Sequence, residues 1–278
     1  MSLTFFAATP QISIAPETLF TLGPLPITNS LLLGLVGFAT VLGLFFATTH
    51  LIKKGSRSRF MYAIVWLFEI LLGMCEEVLG SREKARKVMP LAATLFIAIL
   101  VNNWLGLLPL VGSITYNGHP LLRGFDADLN STFALAIISM TAVQIWAIKT
   151  HGFFGNIGRY IHNPLKDPMR AFEGFLEIVA EFSRLVALSM RLFGNVLGGE
   201  VLLAVIGFIS SYGAPLALPA FYVLELFVGG VQAYVFFMLT VVFIAIGSSV
   251  HEPVHATPAL PNILETKPDV AKPKTSTS

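Results

Sequence analysis

The stretch Phe182-Ser-Arg-Leu-Val-Ala-Leu-Ser-Met-Arg-Leu-Phe-Gly-Asn-Val-Leu-Gly-Gly-Glu200 decides the class of this chain. It lies within Ala171 to Ser210, 40 residues of helical pattern, with Arg191 near the middle. An arginine at bilayer depth costs at least ~2.5–3.5 kcal/mol on insertion scales. Deprotonation offers no escape, because the guanidinium pKa stays above about 12. A permanent cation kept in such a place has an electrostatic use. It attracts a passing carboxylate, favours its ionised form and repels a free cation.

Composition agrees with a membrane setting. Of the 278 residues 55% are hydrophobic and 12% charged, and the mean hydropathy is +0.75, far from a soluble globular average. Net charge is only +2, which gives no basis for binding nucleic acid. The one cysteine, Cys75, cannot form an intrachain disulfide and is expected to fill an apolar gap. No secretory leader is expected, since the first cationic side chain is Lys53.

The expected class is an all-α polytopic membrane protein with about five spanning helices. Residues 1–29 read as an exterior arm, 30–250 as the membrane domain, and 251–278 as a polar, disordered tail. Spans are expected at Ser30–Ile52, Pro90–Val111, Ser131–Ile148, Ala171–Ser210 and Ala220–Ser249. Residues 60–80 carry Glu69, Glu76 and Glu77 between two basic clusters, so an interfacial helix or shallow hairpin on the cytoplasmic side is expected there. Loops are expected at 112–130 and 149–170, and a turn at Tyr212–Pro219, with no proline inside either long helix. With the N-terminus outside and the C-terminus cytoplasmic, every Lys and Arg falls on inner segments except Arg123, Arg184 and Arg191. That asymmetry fits the positive-inside tendency.

A helix of 40 residues runs about 60 Å, twice the hydrocarbon thickness of roughly 30 Å. The last two helices are therefore expected to tilt, pack as a hairpin and lie against a partner surface. The first of them carries a stripe, Glu177, Glu181, Arg184, Leu188, Arg191, Asn195 and Gly198, at alternating spacings of three and four that place it on one face. Gly194 and Gly198 thin the surface beside Arg191. Two offset polar routes follow. Glu173, Glu177 and Glu181 would line an inner one; Asn195, Glu200, Glu225 and Gln232 would line an outer one. Arg191 stands between them, as a discontinuous proton path requires.

The chain here resembles subunit a of the rotary F-type ATP synthase. The residues that carry the resemblance are Arg191-Leu-Phe-Gly-Asn195 with Gly199-Glu200, Gln232-Ala-Tyr-Val-Phe-Phe-Met-Leu-Thr240, and Asn103-Trp-Leu-Gly-Leu-Leu-Pro109. The resemblance spans roughly residues 30–250. It implies a stator subunit facing a ring of c subunits, with peripheral-stalk b subunits and the other synthase subunits as partners. Arg191 then ionises ring carboxylates and blocks leakage. Asn195, Glu200, Glu225 and Gln232 fall in the exterior half-channel and Glu177 in the cytoplasmic one. No cofactor, metal or nucleotide site is implied. A bacterial plasma membrane is the expected location, with an organelle energy-coupling membrane as the alternative. Many relatives carry an acid where Gly106 stands, and Asp126 or Asp128 are candidates to replace it. Glu200 and Glu225, being two carboxylates, are expected to share one proton.

Blander readings stand beside these. Arg184 either lines the inner path or snorkels to the interface. Asn103 either lines a channel or pairs helices. Glu69, Glu76, Glu77 and Glu173 read as ordinary polar faces. His151, His162, His251 and His255 lack metal-ligand spacing. A secondary transporter built on an anion-binding arginine predicts internal repeats, and none is evident. A passive structural membrane protein predicts that replacing Arg191 alters assembly alone.

Overall fold

The computed structural model describes residues 16–22, 25–54, 59–108, 111, 115–116, 119–160, 167–210 and 213–248. The expected tail at 251–278, most of the arm, and His162, His251 and His255 lie outside the described residues. In chain order the elements are β1 (Thr18–Leu22), β2 (Leu25–Thr28), α1 (Asn29–Lys53), α2 (Arg59–Leu79), α3 (Arg82–Gly106), β3 (Thr115–Tyr116), β4 (His119–Pro120), a 3-10 turn (Phe125–Ala127), α4 (Leu129–His151), α5 (Phe153–Tyr160), α6 (Pro168–Ser210) and α7 (Ala214–Ser248). Five of the helices, α1, α3, α4, α6 and α7, are long and apolar enough to cross a membrane. The all-helical membrane class holds, with two short antiparallel hairpins, β1–β2 and β3–β4, added in the connecting segments.

Helix α7 is the hub, packed against α2, α3, α4 and α6. Phe236, Phe237, Val241 and Ile244 are buried along it. Phe237 meets Phe96 of α3 edge to face, with ring centroids 6.1 Å apart, the geometry the ring quadrupoles favour. Helix α3 turns Ala85, Val88, Ala92, Phe96 and Ile99 inward, at the three-and-four spacing of one helical face. Small residues let these helices approach closely, and polar pairs tie them. Ser139 bonds Thr240 at 2.8 Å between α4 and α7. Thr132 bonds Ser189 at 3.1 Å between α4 and α6.

Several expected boundaries move. The second span begins at Arg82, eight residues before Pro90, and ends at Gly106 rather than Val111. Pro90 reads as a helix start, where proline is favoured. The upstream Glu, Lys, Arg and Ala residues are good helix formers, and Lys87 pairs with Glu83 one turn back at 2.7 Å. These outweigh the one backbone bond that Pro90 removes. The loop expected at 149–170 contains α5. The turn expected up to Pro219 ends at Ala214, so Pro219 lies inside α7 and the expectation of uninterrupted helices is corrected. Pro219 is the sixth residue of α7, so it removes one backbone bond near the start of a helix that continues for 29 residues beyond it. Residues 60–80 form one helix, not a hairpin. Its Leu71 and Cys75 enter the core and its Glu69 and Glu77 stay exposed. Gly80 closes α2 with φ +65°, the left-handed cap glycine adopts without strain.

Candidate functional site

Helix α6 runs unbroken for 43 residues, about 65 Å at 1.5 Å per residue. Pro168 opens it at the position where a missing N–H costs nothing. It is the least buried of the five long helices. Arg191 is exposed on it and has no carboxylate partner among the described residues. It borders an open groove of about 230 Å³ with Ser183, Arg184, Ala187 and Leu188, closed on the α7 side by Leu239 and Phe243. Gly194 and Gly198 lie on the same outward side, and a methyl group at either would meet nothing within 4 Å.

The expected stripe keeps Arg184, Leu188 and Arg191 on one groove but drifts along the helix. Leu188 is buried against the bundle and Arg191 is not. An average spacing of 3.5 residues drifts about 20° per seven residues on a 3.6-residue helix, so a stripe from 177 to 198 wraps by roughly 60°. At its inner end the acids separate. Glu177 lies 4.0 Å from Arg184, whose guanidinium sits 5.6 Å over the Phe243 ring. Arg184 is thus half-buried, held between Glu177 and the Phe243 ring. Glu181 turns toward α4 and α5. It accepts from Gln144 Nε2 at 2.6 Å and from the Tyr160 hydroxyl at 2.5 Å. Asn156 Nδ2 extends the set by donating to Gln144 Oε1 at 3.2 Å. Glu173 is exposed.

The outer set is closer-knit. Glu225 of α7 packs its carboxyl directly onto Gly199 of α6, the residue before Glu200. A Cβ there would push the carboxyl aside. The packing of α7 on α6 thereby sets Glu225 against the residue next to Glu200. Glu200 has a partner that the sequence did not suggest: Arg123 Nε lies 3.5 Å from its Oε2. Arg123 is 8% exposed, although its place in the sequence is that of a loop cation. The expected two-carboxylate pair therefore has a cationic third member. Asn195 is half-buried. Gln232 is buried, and its Nε2 has no partner among the described residues. Asn103 donates to the Gly229 carbonyl at 3.3 Å, a helix-pairing bond, while its Oδ1 has no partner among the described residues.

The two candidates to replace an acid at Gly106 part company. Asp128 caps α4, accepting from Asn130 N at 2.9 Å, the usual work of an aspartate before a helix. Asp126 is wholly buried in the 3-10 turn. Gly106 itself faces Gly124 of that segment, and a methyl group at Gly106 would stand 3.5 Å from the Gly124 Cα. The residues that sequence reading missed are Arg123, Gln144, Tyr160 and Asn156. Three of these lie in segments of no periodicity, and Gln144 is a single polar residue in an apolar span. The one available signal was charge matching, since Arg123 is the sole cation of a segment that also holds Asp126 and Asp128.

Residues 30–245 match the family described as ATP synthase A chain. The chain belongs to that family. Among similar ATP synthase A chain members, one from Campylobacter jejuni is 37% identical over 187 residues, covering 67% of this chain and 75% of the relative. One from Moorella thermoacetica is 30% identical over 235 residues, covering 84% of this chain and 96% of the relative. One from Acidothermus cellulolyticus is 32% identical over 188 residues and covers 66% of this chain. The chain spans just under two thirds, 64%, of that relative's length. Each of the three is named ATP synthase subunit a. This ATP synthase A chain family member is thus a multi-pass membrane protein with bacterial relatives.

Proposed function

We propose that the chain is the stator subunit of a rotary ATP synthase membrane motor and conducts protons through two offset half-channels against a ring of c subunits. The observation that carries this reading is Arg191, an exposed cation without a carboxylate partner among the described residues, on the least buried of the long apolar helices. A ring carboxylate arriving there meets a fixed positive charge. It is favoured in its ionised form while it faces the groove, and a free proton is repelled. Gly194 and Gly198 leave the close approach open.

In this reading Glu200, Glu225, Asn195, Gln232 and Asn103 line the exterior route, with Arg123 holding Glu200. Glu177 leads the cytoplasmic route, with Arg184 and Glu181 beside it. The subunit sits in a bacterial plasma membrane with its N-terminus outside and C-terminus cytoplasmic, among the c ring, peripheral-stalk b subunits and the remaining synthase subunits. A potential of 100 mV supplies about 2.3 kcal/mol per charge, so several protons pass for each ATP made elsewhere in the complex.

ATP-driven proton pumping in vesicles carrying the assembled complex tests this, wild type against Arg191→Ala. The expected variant assembles and hydrolyses ATP but pumps nothing. Normal pumping would leave Arg191 without a role in transport and overturn the reading.

A further inference from the structure

The rotation of α6 about its own axis decides where Arg191 points, yet α6 is the least buried of the five long helices and receives the least apolar guidance. Apolar contact is non-directional, whereas a hydrogen bond holds a distance and an angle. The bond nearest Arg191 comes from the back of the helix. Ser189 precedes Arg191 by two residues, a turn of about 200°, so it stands on the opposite side. It is fully buried, as are its neighbours Leu188 and Leu192. Its Oγ lies 3.1 Å from Oγ1 of Thr132, in the first turn of α4.

The proton of each hydroxyl has a settled place. Thr132 gives its own to the Leu129 carbonyl at 3.0 Å, so Ser189 donates and Thr132 accepts. The Thr132 amide is bonded to the Asp128 carbonyl at 3.1 Å, and the Asp128 carboxylate caps α4, which anchors the acceptor. A second pair repeats the arrangement. Ser139 comes seven residues after Thr132, on the same face of α4. Its Oγ lies 2.8 Å from Thr240 of α7, whose own proton goes to the Phe236 carbonyl at 2.9 Å. Ser139, Thr132, Thr240 and Ser189 are all fully buried. Each pair adjoins one wall of the Arg191 groove: Ser189 follows Leu188 on the α6 side, and Thr240 follows Leu239 on the α7 side. A further tie, from Gln144 to Glu181, joins α4 to α6 eight residues before Ser189.

We propose that Ser189 and Thr240, held by Thr132 and Ser139 of α4, are positioning residues of the motor. Helix α4 fixes the rotation of α6 and the seat of α7, and with them the place of Arg191 in its groove. This rests on the transport role proposed above. Arg191 blocks leakage only while it stands between the two routes. Rotation of α6 carries the guanidinium away from that place and lets protons pass without turning the ring.

Ser189→Ala and Ser139→Ala test this. Each removes a donor hydroxyl and leaves the threonine bonded to a carbonyl of its own helix, so neither strands a buried group. Two quantities are read in vesicles carrying the assembled complex: protons pumped per ATP hydrolysed, and passive proton leak without nucleotide. Each variant is expected to assemble and hydrolyse ATP, to leak about threefold faster than the wild type, the population change that one interhelical hydrogen bond of ordinary strength allows, and to pump fewer protons per ATP. Thr132→Ser, which keeps the accepting hydroxyl, is expected to couple like the wild type. A merely structural role predicts less assembled complex with the leak and the proton-to-ATP ratio unchanged. That result overturns the proposal, as does wild-type coupling in both alanine variants. Should an alanine variant fail to assemble, Ser189→Cys, a weak donor of similar size, is read in the same way. Arg191→Ala in the same preparation separates the two proposals. If it is dead for pumping while the serine variants couple normally, the positioning role alone fails; if it pumps normally, the transport reading fails.

Discussion

Gly199 shows how much one missing side chain can arrange. Glu225 lies against it so closely that a Cβ there would collide with the carboxyl. Gly199 is buried while Glu225 is half-buried, so the glutamate side chain is the part that must move. Gly199→Ala is expected to displace the Glu225 carboxyl and to cost about 1 kcal/mol, the low end of the range for overpacking, because the displaced group is the end of a flexible side chain. Thermal denaturation of the purified complex reads the stability loss, and vesicle pumping reads the displaced acid. An unchanged midpoint and rate would show that Glu225 has another place to go. Gly194 and Gly198, on the outward side with open space around them, are expected to tolerate alanine in the isolated subunit. The contrast among glycines five residues apart was not legible in sequence, because spacing gives a helix face but not what stands opposite it. Arg191 was legible, since a charge inside a long apolar helix needs no tertiary information to stand out.

Within α6 the inner acids divide between two tasks. Glu177 keeps to its own helix with Arg184. Glu181 is tied to α4 and α5 through Gln144 and Tyr160. Helix α5 is only eight residues long, too short to be stable alone, so its docking depends on contacts of this kind. Tyr160→Phe removes a hydrogen bond to a carboxylate, worth about 1.5–3 kcal/mol when buried and less at this half-buried position. Faster amide hydrogen exchange across Phe153–Tyr160 is the expected result, with α4 and α6 unchanged. Equal exchange in both proteins would show that apolar packing alone holds α5. This element is hard to find in sequence because it is rich in glycine and follows Gly152, which reads as a loop. The long helices are found because an apolar pattern extends through each of them. Their ends move where proline gives an ambiguous signal, at Pro90 and Pro219.

At the scale of the whole molecule, stability should depend on pH through the buried turn. Asp126 holds its proton up to about pH 8 in the folded protein, while an unfolded aspartate releases it near 3.9. The folded state thus binds more protons between these limits. That contribution to stability is full below about pH 4 and declines as pH rises to about 8, by up to about 1.4 kcal/mol per pH unit. Melting of the complex in detergent at pH 6, 7 and 8 should show the wild type losing stability relative to Asp126→Asn across the series. Parallel curves would contradict it. The sequence by itself determined the membrane class and the five long helices. Each of these depends on hydropathy, length and periodicity, which accumulate along a chain. Only the tertiary structure decided that Arg123 meets Glu200, and that Asp128 caps a helix while Asp126 is buried. Those outcomes depend on which surfaces meet across distant segments, and an aperiodic loop carries no local record of its partner.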